Sequence, residues 1–145
     1  MTSLVPVAAL RGLARSSRLL ERACGDLNLA QYRVLASIAA GDERASRIAH
    51  RLALGKPTVS ATVESLRQRG LLSRTGVDED QRASALRLTP QGEVALAAAE
   101  QAMAERVADL VSRTPDAAAV VQALAWLDAA VDSVMAERTD AVARR

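Results

Sequence analysis

Apolar positions return every three or four residues along most of the chain and every second residue in one short stretch. The first period predicts helices, the second a strand. Val7, Leu10, Leu13 and Leu20 make an apolar stripe in a helix predicted over Pro6 to Cys24, beside a four-residue polar repeat of Arg11, Arg15, Arg18 and Arg22. Gly25 stops it. A second helix is predicted over Leu29 to Ala40, with Asn28 as N-cap and Tyr32, Leu35, Ile38 and Ala39 turned inward. Gly41 and Asp42 end it. A third, short helix covers Ala45 to Leu52; Ile48, Ala49 and Leu52 face inward, and Arg47, His50 and Arg51 stay outside or at the rim.

The turn Ala53-Leu54-Gly55-Lys56 follows, with Gly55 expected to supply its backbone freedom. Pro57 then opens a fourth helix that runs to Gln68 or Arg69, where Val59, Val63 and Leu66 share one face. Its opposite face is small and polar: Pro57, Ala61, Glu64 and Gln68, flanked by Thr58, Ser60 and Ser65. Gly70 ends this helix. Leu71 to Thr75 and Ala83 to Leu88 are strand candidates around the charged tip GVDEDQR, and Leu86 and Leu88 alternate with Arg87 and Thr89. Thr89 caps the next helix, with Pro90 in its first position, over Pro90 to Val111. After the break Thr114-Pro115-Asp116, a last helix covers Ala117 to Ala141. In it Val120, Leu124, Leu127, Val131 and Val134 form a seam that Val121 and Met135 widen. A helix, a turn and a helix followed by a two-stranded hairpin make a winged helix-turn-helix. The fold class is mostly α with a small β-wing and with N- and C-terminal dimerisation helices.

Length and composition narrow the picture. At 145 residues the chain is one domain, 1–145, with a lobe at 28–89 and helical flanks at 1–24 and 90–145. One Trp, one Tyr and no Phe leave an aliphatic core. No apolar run approaches the roughly 18–20 residues of a membrane span, and no signal-peptide pattern opens the chain, so a cytoplasmic protein without a membrane partner is expected. One cysteine, Cys24, and one histidine, His50, exclude an internal disulfide and a His or Cys metal cluster, so no metal or cofactor is expected. They also leave no catalytic constellation, so an enzyme is not expected.

Charge is more telling in its distribution than in its sum of +2. Residues 44–87 carry eight Arg and one Lys against four acids, whereas residues 88–145 carry five Arg against nine acids. The basic excess coincides with the helix-turn-helix, as in a nucleic-acid reader.

These motifs resemble those of the MarR family of bacterial regulators. LNLAQYRVLASIA is similar to the family's second helix, RASRIAHRLALGKPTVSATVESLRQRGLLSR to its helix-turn-helix, and DEDQRASALRLTPQGE to its wing. Asp78 and Asp80 match the wing's two acids and Arg82 the second of its paired arginines, with Gln81 in place of the first. The similarity covers residues 27–95. It implies a homodimer on a palindromic double-stranded DNA operator, acting as a repressor. Recognition helices would enter the major grooves and wings the minor grooves. It also implies release by a small lipophilic effector or by cysteine oxidation.

The chemistry then names residues. Arg82 is the minor-groove contact, because a guanidinium suits a narrow, electronegative groove, and Asp80 orients it or caps the turn. Pro57, Thr58, Ser60, Ala61, Thr62 and Glu64 are candidates on the recognition helix, with Ala61 and Glu64 most outward and Thr62 toward the core. Glu64 could accept from cytosine or stay solvated. Lys56, Arg47, Arg51 and Arg74 are candidates for phosphate or plain surface charge. Leu10, Leu13, Val120, Leu124, Leu127, Val131 and Val134 are the dimerisation candidates. An effector pocket would be aliphatic, with Leu19, Leu29 and Leu35 as lining. Cys24 stands as a redox sensor or as a plain buried thiol. The alternatives to an operator-binding regulator are a winged helix used for protein contact and a thiol-based regulator working through Cys24.

Overall fold

A computed structural model describes residues 4–42, 44–76 and 85–144, without the side chains of residues 142 and 143. It contains, in order, α1 (Val7–Ala23), α2 (Leu29–Ala39), α3 (Ala45–Arg51), α4 (Lys56–Gln68), β1 (Leu72–Thr75), β2 (Ala85–Leu88), α5 (Pro90–Ser112) and α6 (Ala117–Ala143). Every element expected from periodicity is present. The strands pair antiparallel, Leu72 opposite Leu88 and Arg74 opposite Leu86.

Local chemistry explains the ends of these elements. Asn28 caps α2 through its side chain, and Gln31 returns the bond to the Asn28 N–H, a reciprocal capping box. Thr89 caps α5 by accepting from the Gly92 N–H, and Pro90 follows it. Helices α2, α3 and α4 all stop in the same way. The two N–H groups beyond each cap residue bond back to the last turn: Gly41 to Ile38 and Asp42 to Ser37, Ala53 to His50 and Leu54 to Ala49, Gly70 to Arg67 and Leu71 to Leu66. This double bond requires a left-handed residue. Glycine supplies it after α2 and α4, but after α3 it is Ala53, with φ of 51°. The expectation for Gly55 is corrected here. Gly55 is the extended N-cap of α4, with φ of −64°, so the strain of the turn sits two residues earlier.

The core lies where α2, α3, α4 and the hairpin meet. Val34, Leu35, Ile48, Val59, Val63 and Leu66 are all but inaccessible, and Leu72, Leu86, Leu96 and Met103 close it from the sheet and α5. Two inward assignments on α2 change. Ala39 is exposed, while Val34 is fully buried. Because α2 packs against α3, α4, β2 and α5, its buried arc is wider than a single stripe. Leu35, expected in an effector pocket, is enclosed in the core.

At the junction of lobe and flank, α5 starts hard against the end of α4. A Cβ on Gly92 would lie 2.0 Å from the Leu71 carbonyl oxygen. Only a residue without a side chain allows this approach.

Helix α6 departs from expectation. By length and composition Ala117–Ala141 could cross a membrane, with mean hydropathy 1.4. No uninterrupted apolar run causes this; Ala and Val raise the average on either side of Gln122, Asp128 and Asp132. Two carboxylates at mid-helix would be costly in hydrocarbon. They suit a helix whose apolar seam packs on protein.

Replacing Gly92 by Ala forces the α5 start away from Leu71. We expect a loss of about 1–3 kcal/mol, the usual cost of overpacking a close contact, read as a lower Tm. An unchanged Tm would show that the junction is free to shift.

Candidate nucleic-acid interface

Helix α4 buries Val59, Val63 and Leu66 and thereby turns the rest of its surface outward. Pro57, Thr58, Ser60, Ala61 and Glu64 are exposed, and Thr62 is half-buried with its hydroxyl donating to the Thr58 carbonyl, 2.9 Å away. Thr62 thus leans toward the core, and its hydroxyl is already engaged. No side chain caps the α4 N-terminus, which leaves first-turn N–H groups open to an outside acceptor. Lys56 stands exposed at that end.

Basic side chains are also exposed on the elements around α4. Arg44 and Arg47 are exposed on α3, and Arg74 is exposed on β1 with Arg87 on the facing strand. Arg51 is less available than its sequence position implies: it pairs with Asp42 at 3.4 Å, and Asp42 also accepts from Ser37 at 2.6 Å. Asp80 and Arg82 lie outside the described residues.

Three participants escape a reading by residue type alone. Arg67 pairs with Glu64 at 3.0 Å, one turn along the exposed face. The Glu64 carboxylate is therefore already partnered by a cation. The spacing of three residues carries that pair in the sequence. The other two participants are Gln31 and Arg69, which meet only in the folded chain. Gln31 is nearly buried. Its carboxamide oxygen accepts from the Asn28 N–H at 3.1 Å and from Arg69 at 3.2 Å, and its nitrogen donates to Ser65 at 3.3 Å. One side chain thus fastens the start of α2 to the last turns of α4.

Helix α6 reaches the lobe as well. Its C-terminal part runs over α3, where His50 Nε2 lies 2.5 Å from the Thr139 hydroxyl. The two helices border an open groove of about 480 Å³ lined by Arg47, His50, Asp132 and Met135, among others.

Cys24 sits at the end of α1, 1% exposed, with its thiol directed to the Leu20 carbonyl at 3.3 Å and the Met103 sulfur at 3.5 Å. Burial, then the Glu21 carboxylate, push this thiol up, against a smaller opposing effect of Arg33. Tyr32, half-buried nearby, is pushed up in the same way by burial and then by Glu100. Both groups hold their protons. Among the described residues no group of three or more His, Cys, Asp or Glu could hold a metal ion.

The geometry so far is that of a winged helix-turn-helix with long helical flanks. The MarR family profile matches residues 25–83, the segment from the end of α1 to the wing. Over that segment the chain resembles the MarR family. Solved structures agree over nearly the whole chain. The transcriptional repressor CouR bound to a 23-mer DNA duplex is 27% identical with a TM-score of 0.73, over 88% of this chain and 92% of that one. A Staphylococcus aureus MarR in complex with salicylate and kanamycin is 21% identical with a TM-score of 0.70, over 90% and 87%. The Mycobacterium tuberculosis regulator MosR in complex with DNA is 23% identical with a TM-score of 0.61, over 88% and 95%. A comparison with curated proteins finds no match. The chain shares the fold of these regulators over most of its length.

Two outcomes follow from the site. Gln31→Leu removes the bonds to Ser65 and Arg69 while keeping an apolar fill, so the fold survives with a loss of about 1–3 kcal/mol. DNA affinity, measured where the variant is fully folded, falls more than that of Ser65→Ala. Equal affinities would leave Gln31 a capping residue alone. For Cys24, a buried, protonated thiol reacts with iodoacetamide at pH 8 at least about tenfold more slowly than free cysteine, and denaturant removes the difference. Because the folded-state value is raised, any stabilisation from this group is present below the unfolded thiol pKa and is lost as pH rises through the folded one. Alkylation of the native protein at the free-thiol rate would contradict this.

Proposed function

We propose that this protein is a homodimeric transcriptional regulator that binds a palindromic double-stranded DNA operator and represses from it. The observation that carries the reading is the outward face of α4: small, polar and backed by Val59, Val63 and Leu66, with Lys56 exposed at its start and Arg47 and Arg74 exposed on α3 and β1, which pack against α4. A face of that size fits a major groove, and cations at its border meet phosphates. In this reading residues 28–89 are the DNA-binding lobe, and residues 1–24 and 90–145 hold two lobes at a set distance. Thr58, Ser60, Ala61 and Glu64 meet bases or sugar-phosphate, Pro57 and Thr62 shape the helix, and Arg82, oriented by Asp80, enters the minor groove. Arg67 balances Glu64, and Arg51 acts mainly through Asp42. The protein works in the cytoplasm, where its DNA is.

Two of the similar structures are DNA complexes by their descriptions, CouR and MosR, which supports the assignment. The Staphylococcus aureus relative was solved with salicylate and kanamycin, which supports adding release by a small, lipophilic effector. The buried, protonated Cys24 favours a structural thiol over a thiol-based switch.

Titration of the protein against duplex DNA from upstream of its own gene tests the reading. Specific binding should fall with salt at a log–log slope steeper than about −4, as several phosphate contacts release counterions. Arg82→Ala should weaken it at least about tenfold, from about 1–3 kcal/mol of lost contact. Binding that is absent, or indifferent to salt, would favour a winged helix used for protein contact.

A further inference from the structure

Helix α6 brings a cation to the start of the recognition helix. Between α3, the turn that follows it and α6 lies an open hollow of about 500 Å³. Ala49, Leu54 and Met135 line it, together with the exposed Lys56 of α4 and Arg138 of α6. Ser46, His50 and Met135 line both this hollow and the groove between α3 and α6 described above. The two differ in charge. In the groove, Arg47 and Arg51 are balanced by Asp42 and Asp132. The hollow holds Lys56 and Arg138 and no acid. Among the described residues neither cation has an ion-pair partner. No acid stands three or four residues from either one in the sequence. Two cations that share a hollow repel unless an anion joins them.

Arg138 also breaks the pattern of its own helix. The seam Val120, Leu124, Leu127, Val131 and Val134 advances by four and three residues in turn, and its next position is Arg138. Apolar packing stops where α6 reaches the lobe. The next residue fixes where the arginine lies. The Thr139 hydroxyl donates to the Met135 carbonyl at 3.1 Å, which leaves its oxygen to accept from His50 Nε2 at 2.5 Å. That bond ties the last turns of α6 to α3, and so holds Arg138 beside Lys56.

Resting on the operator-binding reading above, we propose that Arg138 is a further DNA-phosphate contact, supplied by α6 from outside the winged helix-turn-helix and placed on the same stretch of backbone as Lys56. Lys56 stands at the start of the face which that reading sets in the major groove, so the phosphates along the groove edge pass within reach of both cations. The missing anion is then a DNA phosphate. A phosphodiester needs no enclosing pocket, only cations open to solvent, and both Lys56 and Arg138 are exposed. Thr139 is a positioning residue: it touches no DNA and acts by docking α6 on His50. Phosphates carry no sequence information, so Arg138 adds affinity without adding specificity.

Salt titrations of DNA binding test this, with Arg138→Gln, Arg138→Lys and Thr139→Val set against the wild type. Circular dichroism reads helicity and sedimentation reads mass. Each copy of Arg138→Gln loses one phosphate contact, so the log–log slope of the dimer should become shallower by about 1.8, at about 0.9 per phosphate. Affinity should fall at least about tenfold at about 0.1 M salt, equally for operator and unrelated duplex. Arg138→Lys keeps the charge and should keep the slope. Thr139→Val changes no charge, yet should also make the slope shallower, and adding it to Arg138→Gln should change nothing further. A wild type that binds no DNA would sink the operator reading itself. With a wild type that binds, an unchanged slope in Arg138→Gln would overturn the phosphate contact and leave that reading standing. A lower sedimenting mass for Arg138→Gln would do the same, by setting Arg138 in a contact between copies. A wild-type slope in Thr139→Val would overturn the positioning of Arg138 by Thr139.

Discussion

The architecture turns on one backbone crossing, where the end of α4 meets the start of α5. Thr89 is its centre. Its N–H donates to the Leu71 carbonyl at 3.1 Å, its hydroxyl donates to the Gly70 carbonyl at 2.6 Å, and the same oxygen accepts from the Gly92 N–H at 3.0 Å. Gly92 lets the two backbones touch. The recognition helix, the returning wing strand and helix α5 therefore share one knot of five residues, Gly70, Leu71, Thr89, Pro90 and Gly92. A reading helix is useful only if its angle to the rest of the molecule is fixed. Here that angle is set by hydrogen bonds and contact between main chains, the least adjustable parts of a protein.

From that crossing the two halves of the molecule differ in kind. The lobe is finished: an aliphatic core without Phe or Trp, closed by α2, α3, α4 and the hairpin, with Gln31 tying α2 to α4. The helical flank is unfinished. α1 rests on α5, α6 touches α5 and α3, and both leave apolar faces in solvent. The contact between His50 and Thr139 brings α6 back to the helix that precedes the recognition helix. Whatever covers α6 is thereby mechanically close to the DNA-facing lobe.

Most of this was legible in the sequence, for identifiable reasons. Caps are short-range chemistry, so Asn28, Thr89 and Pro90 announced their helices, and the face of Val59, Val63 and Leu66 follows from helical period alone. Features that need a third dimension were not legible. Gly55 looked like the residue that frees the turn, yet the helix-ending bonds fall two residues earlier and impose the left-handed conformation on Ala53. Val34 escaped the inward set because α2 is enclosed from several sides. Gln31 read as one more polar position, and only tertiary packing brings Ser65 and Arg69 to it. The apolar seam of α6 was legible, but its membrane-length hydropathy was not, because that resides in an average over Ala and Val and not in a run. At the wing tip, Asp80 and Arg82 rest on sequence and resemblance.

The central claim is that two copies of the α4 face read DNA together. Selection of bound fragments from a random duplex pool by the wild-type protein tests it most directly. The account predicts an enriched inverted repeat whose half-sites lie about one helical turn apart, about 10 base pairs between centres. Recovery of no enriched sequence, or of single half-sites without a partner, would contradict it.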